Sequence, residues 1–134
     1  MLTSLVTALD RLAGVSGRPA VVALATTATT EDQARFLANA VEMLAAHHQT
    51  VEPLAEVVAR GTVLGRTQSG ALIVPGAVDY VAWTERVAGF AGRTDLQGTS
   101  GSIWITGRLS PDAQRQFAAV GWTVYQHVLP PWQR

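Results

Sequence analysis

The sequence predicts a single α/β domain spanning residues 1–134, with a mixed sheet of about five strands, flanking helices and a carboxyl-terminal βαβ unit. Three observations carry this expectation. Short apolar runs alternate with longer stretches of helical period along the whole chain. Thr62–Arg66 and Ala71–Val74 flank a polar, glycine-ended turn, which predicts an antiparallel hairpin. Ser102–Val128 reads as strand, helix, strand, the pattern of a crossover between parallel strands.

From Met1 to Val15, the stripe Leu2, Leu5, Val6, Leu9, Leu12 and Ala13 predicts an amphipathic helix, with a stop at Gly14 to Gly17. After Pro19 the apolar run Ala20–Ala25 lacks alternation and predicts a strand buried on both faces. Phe36, Leu37, Ala40, Val41 and Leu44 keep a helical period from Thr30 to about His48. Pro53 ends that helix, and Leu54, Val57 and Val58 fit one more helical turn or a strand equally well. The hairpin follows and stops at Pro75-Gly76. A helix from Asp79 to Ala91 would bury Tyr80, Trp83, Val87 and Phe90, with Asp79 as its cap. Arg93–Ser102 is a loop rich in glycine, threonine and serine. In the closing unit Ser102–Thr106 is a strand, Ser110–Val120 a helix stopped by Gly121, and Trp122–Val128 the last strand. Pro130-Pro131 then extends the tail towards Trp132.

Composition excludes more than it assigns. All ten basic residues are arginine, and the chain has no cysteine. Schiff-base chemistry, a pyridoxal anchor and a Walker-type phosphate lysine are therefore absent, as are thiol catalysis, disulfides and zinc-thiolate or iron–sulfur sites. Ten arginines balance ten acids without a basic run, so the footprint of a nucleic-acid binder is missing. No apolar run approaches the roughly 20 residues that span a bilayer, and the amino terminus lacks a signal-peptide pattern. The chain therefore fits a cytoplasmic protein or a soluble domain cut from an exported one. With 48% hydrophobic and 15% charged residues, apolar surface is expected, some of it as an interface.

Two loops read as strand-to-helix turns and offer helix-start amides to an anion: Thr26–Asp32, with Thr27, Thr29 and Thr30, and Thr106–Asp112, with Arg108 and Ser110. If their strands are neighbours, Arg108 and the threonine hydroxyls converge on one ligand. The same residues serve as ordinary caps, since Thr30 with Gln33 has capping-box spacing and Ser110 precedes a first-turn proline. His47 and His48 point about 100° apart on a helix, which is wrong for chelating one metal, and His127 is distant in sequence. Ser69, Ser100 and Ser102 lack a nucleophile elbow, and Asp79, Glu85 and Asp95 are close only in sequence. No cofactor, metal or catalytic residue is assigned.

The segment Val78–Val87, followed by Ile103–Ala113 and Gly121–Val124, resembles a terminal α/β domain of uncharacterised, sometimes exported, proteins of GC-rich bacteria. The resemblance covers roughly the second half of the chain and implies an accessory or binding role.

The expectation is thus a non-enzymatic binding or assembly module that acts through an apolar surface or sheet edge, on a protein partner or on a second copy. The alternative is a small-anion or nucleotide-binding domain using the loops at 26–32 and 106–112. Interface candidates are Trp122, Val124 and Tyr125, because the last strand alternates mixed faces without lysine or carboxylate, and Trp132, a tail tryptophan beyond two prolines that either packs in a groove of its own domain or is offered to another chain.

Overall fold

The computed structural model describes residues 2–59, 62–93 and 100–131. In chain order they form α1 (Leu2–Arg11), α2 (Arg18–Ala25), α3 (Glu31–Thr50), β1 (Leu54–Ala59), β2 (Val63–Thr67), β3 (Leu72–Gly76) and β4 (Tyr80–Val81). Then follow α4 (Glu85–Ala91), β5 (Gly101–Ile105), β6 (Arg108–Leu109), α5 (Pro111–Val120) and β7 (Trp122–Tyr125). The main sheet has the order β1-β2-β3-β5-β7. Its β1-β2 and β2-β3 pairs are antiparallel, whereas β3-β5 and β5-β7 are parallel. The expected mixed five-stranded α/β fold, with its carboxyl-terminal strand-helix-strand unit, is what the chain forms.

Side-chain alternation divides the sheet between two cores. Val63 and Ile73 face a cluster with Leu5, Leu9 and Leu12 of the first helical segment, Val21 of α2, and Val41 and Leu44 of α3. Their neighbours Leu64, Leu72 and Val74 join Ile103 and Ile105 in a second cluster with Ala91, Phe117 and Trp122. Successive strand residues point to opposite faces, so one sheet seats α1, α2 and α3 on one side and α4 and α5 on the other.

Three local expectations are corrected. The run Ala20–Ala25 is helix α2, not a doubly buried strand. Pro19 falls in the first turn, where its missing amide costs nothing, and three alanines favour helix. Only Val21 of the run is buried, while Val22 is exposed. Thr26 and Thr27 end the helix by donating their hydroxyls to the carbonyls of Ala23 and Leu24, each at 2.7 Å.

Asp79 does not cap α4. The cap is Thr84, whose hydroxyl accepts from Val87 N at 3.2 Å. Tyr80 and Val81 instead pair in parallel with Arg108 and Leu109 as a two-stranded sheet. Asp79 contributes its backbone carbonyl to Arg108 N at 3.0 Å. That competing strand pairing delays the helix by six residues, from the expected Asp79 start to Glu85.

Pro75 and Gly76 lie within β3 rather than ending it. Pairing of β3 with β2 stops at Ile73, so Pro75 is flanked in register only by Trp104 of β5. A proline needs just such an unpaired side.

Candidate functional site

The two candidate anion loops do not form one site. Thr26–Asp32 joins helix α2 to helix α3, so it does not follow the carboxyl end of a strand. Its hydroxyls are spent locally: Thr27 donates to Leu24 O, Thr29 donates to Gln33 Oε1 at 3.2 Å, and Thr30 accepts from Gln33 N at 3.1 Å. The cation that shares a groove with Thr27, Asp32 and Gln33 is Arg86, not Arg108.

In the second loop four of the amides are already bonded. Thr106 N donates to Gly76 O, Arg108 N to Asp79 O, Leu109 N to Gln126 Oε1 and Ser110 N to Val81 O, at 3.2, 3.0, 2.8 and 2.9 Å. A Cβ on Gly107 would collide with the carbonyl of Asp79, so these segments meet at backbone contact. Ser110 is buried and accepts from Ala113 N at 3.0 Å, as a helix cap does. The Arg108 guanidinium lies over the Tyr80 ring, 4.6 Å from its centre. Between β5 and α5 the chain thus pairs with β4 through β6 instead of turning straight into the helix.

The histidines part company. His48 Nδ1 accepts from Leu54 N at 2.8 Å and fixes the turn from α3 into β1. His47 is buried, and its ring stands nearly perpendicular to that of Trp104, with centres 4.9 Å apart. Trp104 also stacks on Tyr125 at 4.3 Å and donates its indole N–H to Ser102 Oγ at 2.8 Å. Among the described residues, His47 Nε2 is a buried side-chain atom with no hydrogen-bond partner. Burial holds this imidazole below its ordinary pKa of 6.5, and the Glu52 carboxylate opposes the shift. Beside it lies an apolar slot of about 40 Å³ bounded by Met43, Val51, Ile73, Trp104, Leu129 and Pro131.

Sequence reasoning missed this slot, although a signal was present. Ala40, Met43, Leu44 and His47 occupy the i, i+3, i+4 and i+7 positions of one helical face. A histidine in the last of those places is headed for the core. Elsewhere, Ser102 serves the Trp104 indole and Ser69 meets Thr67 Oγ1 at 2.9 Å in the hairpin turn. Among the described residues no cluster of three histidine, aspartate or glutamate side chains is placed to hold a metal. Asp95 lies outside the described residues, as do positions 94–99 of the expected loop and Trp132.

The interface candidates also separate. Trp122 is buried, donates its indole N–H to Ala91 O at 3.1 Å and stacks on Phe90, so its side chain belongs to the core. Val124 packs against the same cluster. Tyr125 is 45% exposed, and Val120 and Leu129 on either side of β7 are 38% and 52% exposed. Among the described strands, β7 has a neighbour on one side alone. The opposite edge of the sheet is partly covered: Ser16 bridges to β1, donating to Ala55 O at 3.1 Å and accepting from Val57 N at 2.7 Å. Gly17 makes this approach feasible, since its φ of 92° is left-handed and a Cβ there would strike the Val57 carbonyl.

No protein-family model matches the chain, and no match was found among curated proteins or solved structures.

Proposed function

We infer that the protein is a non-enzymatic assembly module in which β7 of one copy runs antiparallel to β7 of a second, giving one continuous sheet with twofold symmetry. The contrast between the two sheet edges supports this reading. Ser16 bridges the β1 edge, whereas the β7 edge carries Trp122-Thr123-Val124-Tyr125 without a charge, and Val120 and Leu129, before and after it in sequence, are exposed. An edge strand without lysine or proline, and with no described strand paired beyond it, is a template for strand addition. A twofold contact uses the same patch on both copies and so closes at a dimer. The resemblance of the second half to a terminal α/β domain of uncharacterised bacterial proteins implies an accessory or binding role and supports the same reading.

Sedimentation over a concentration series tests the reading. The wild type is expected to form dimers with a Kd between about 1 μM and 1 mM. Thr123 is exposed, and Thr123→Lys places a charge on the edge without removing a core contact. It is expected to weaken the dimer at least about tenfold, or about 1.4 kcal/mol. Tyr125→Lys is a poorer probe because it also breaks the stack on Trp104. A wild type that stays monomeric to about 1 mM overturns the assignment.

A further inference from the structure

His47 is 7% exposed, and its Nε2 is shut off from water without a hydrogen-bond partner among the described residues. A charged imidazole donates from both nitrogens, so a proton gained here leaves one buried N–H facing apolar groups. The elements packed around the ring bring no charge to meet it. β3, β5 and residues 128–131 contain no titratable side chain. On the side of α3, the Nδ1 of His48 is engaged by Leu54 N, and Glu52 beyond the helix end is the carboxylate that acts on His47. Tyr125 of β7 stacks on Trp104, and His127, before the tail, is exposed.

The walls around the slot beside His47 are not held alike. α3 is a long helix buried along one face, and β3 and β5 are each hydrogen-bonded to a strand on both sides. The remaining wall is the tail after β7. Val128 N donates to Ile105 O at 3.0 Å, one residue after His127 N donates to Gly107 O at 2.8 Å, and Pro130 and Pro131 have no amide to give. Displacing this wall is the least disruptive way for water to reach the ring.

We propose that His47 is a proton-operated latch: residues 128–131 close over the neutral imidazole and lift from α3 when it is charged, letting water solvate the ring. The driving force is the difference in proton affinity between the two arrangements, since burial disfavours the charged ring and hydration restores its ordinary affinity. The open form therefore gains on the closed one by up to about tenfold per pH unit below 6.5, until the closed form itself takes up the proton. Glu52 favours the charged ring and narrows this window without removing it, because desolvation is the larger effect. Opening bares Met43, Ile73 and Trp104, so acid presents an apolar patch that is covered at neutral pH. The latch does not depend on pairing at the β7 edge.

Amide hydrogen exchange of the full chain, corrected for the intrinsic rate at each pH and run at two protein concentrations, tests the latch. Protection of Val128 N is expected to fall by up to about tenfold per pH unit below 6.5 and to level off where the His47 imidazole nitrogens titrate. It is expected to stay below that of the β2 amides and to depend less on denaturant, as the opening of a few residues does. His47→Leu is expected to abolish the fall, whereas His127→Asn, which suits the left-handed φ of 56° at that position, is expected to keep it. Should His47→Leu not fold, the wild-type levelling point decides: a mismatch with the imidazole titration overturns the proposal. Equal protection and denaturant dependence at Val128 and β2, a fall that persists in His47→Leu, or loss of the fall in His127→Asn also overturns it. A fall that varies with protein concentration belongs to self-association and overturns the latch alone.

Discussion

His47 sets the behaviour of the core under α3. Because burial lowers its pKa, the folded chain binds fewer protons than the unfolded chain between 6.5 and the depressed folded value. Stability is therefore full above 6.5, falls as pH drops through that window, and levels off below the folded pKa. Denaturant titrations from pH 7.5 downwards are expected to show this fall in the wild type, and His47→Leu is expected to lose the part that begins near 6.5. An unchanged slope in the variant would assign the acid sensitivity to other groups. At neutral pH the variant is expected to be at least as stable as the wild type, since replacing an unsatisfied buried polar atom with an apolar one of similar shape removes a desolvation cost.

At the scale of elements, caps decide where the helices start. Thr84→Ala removes an acceptor for the first turn of α4 and is expected to cost about 0.5–2 kcal/mol, as is Ser110→Ala for α5. Asp79→Ala is expected to stay within about 0.5 kcal/mol, because the exposed Asp79 contributes its carbonyl rather than its carboxylate. Thermal melts of the three variants check the ordering. The Ser110 cap was legible because serine, proline and aspartate stand in sequence order at the start of a periodic run. The true start of α4 was not, because the pairing of Tyr80-Val81 with Arg108-Leu109 joins segments almost thirty residues apart. The same limit applies at Ala20–Ala25: six apolar residues satisfy a buried strand and a short helix alike, and tertiary packing on β1 and its neighbours chooses between them. The hairpin and the closing strand-helix-strand unit were readable because their turns and periods are local. The His47 slot needed β5 and the tail to arrive from residues 104 and 128–131, which no local pattern announces.

Across the whole molecule, the asymmetry between the edges sets a limit on the proposed assembly. With Ser16 bridging β1 and no described strand beyond β7, the proposed pairing would use up the available edge at two copies. Ser16→Pro removes the N–H that donates to Ala55 O and frees part of the β1 edge. The variant is expected to lose stability and to grow beyond the dimer, because an open edge at each end permits contacts that do not close. Light scattering against concentration checks this, and a variant that stops at the wild-type size would show that Ser16 is not the guard. The contact of Trp104 with His47 and Tyr125 has an optical consequence as well. Energy transfer from a stacked tyrosine and quenching by a protonated imidazole both act at contact distance, so the Trp104 part of the emission, separated from that of the other three tryptophans, is expected to respond to the fit of β7 on β5 and to protonation of His47.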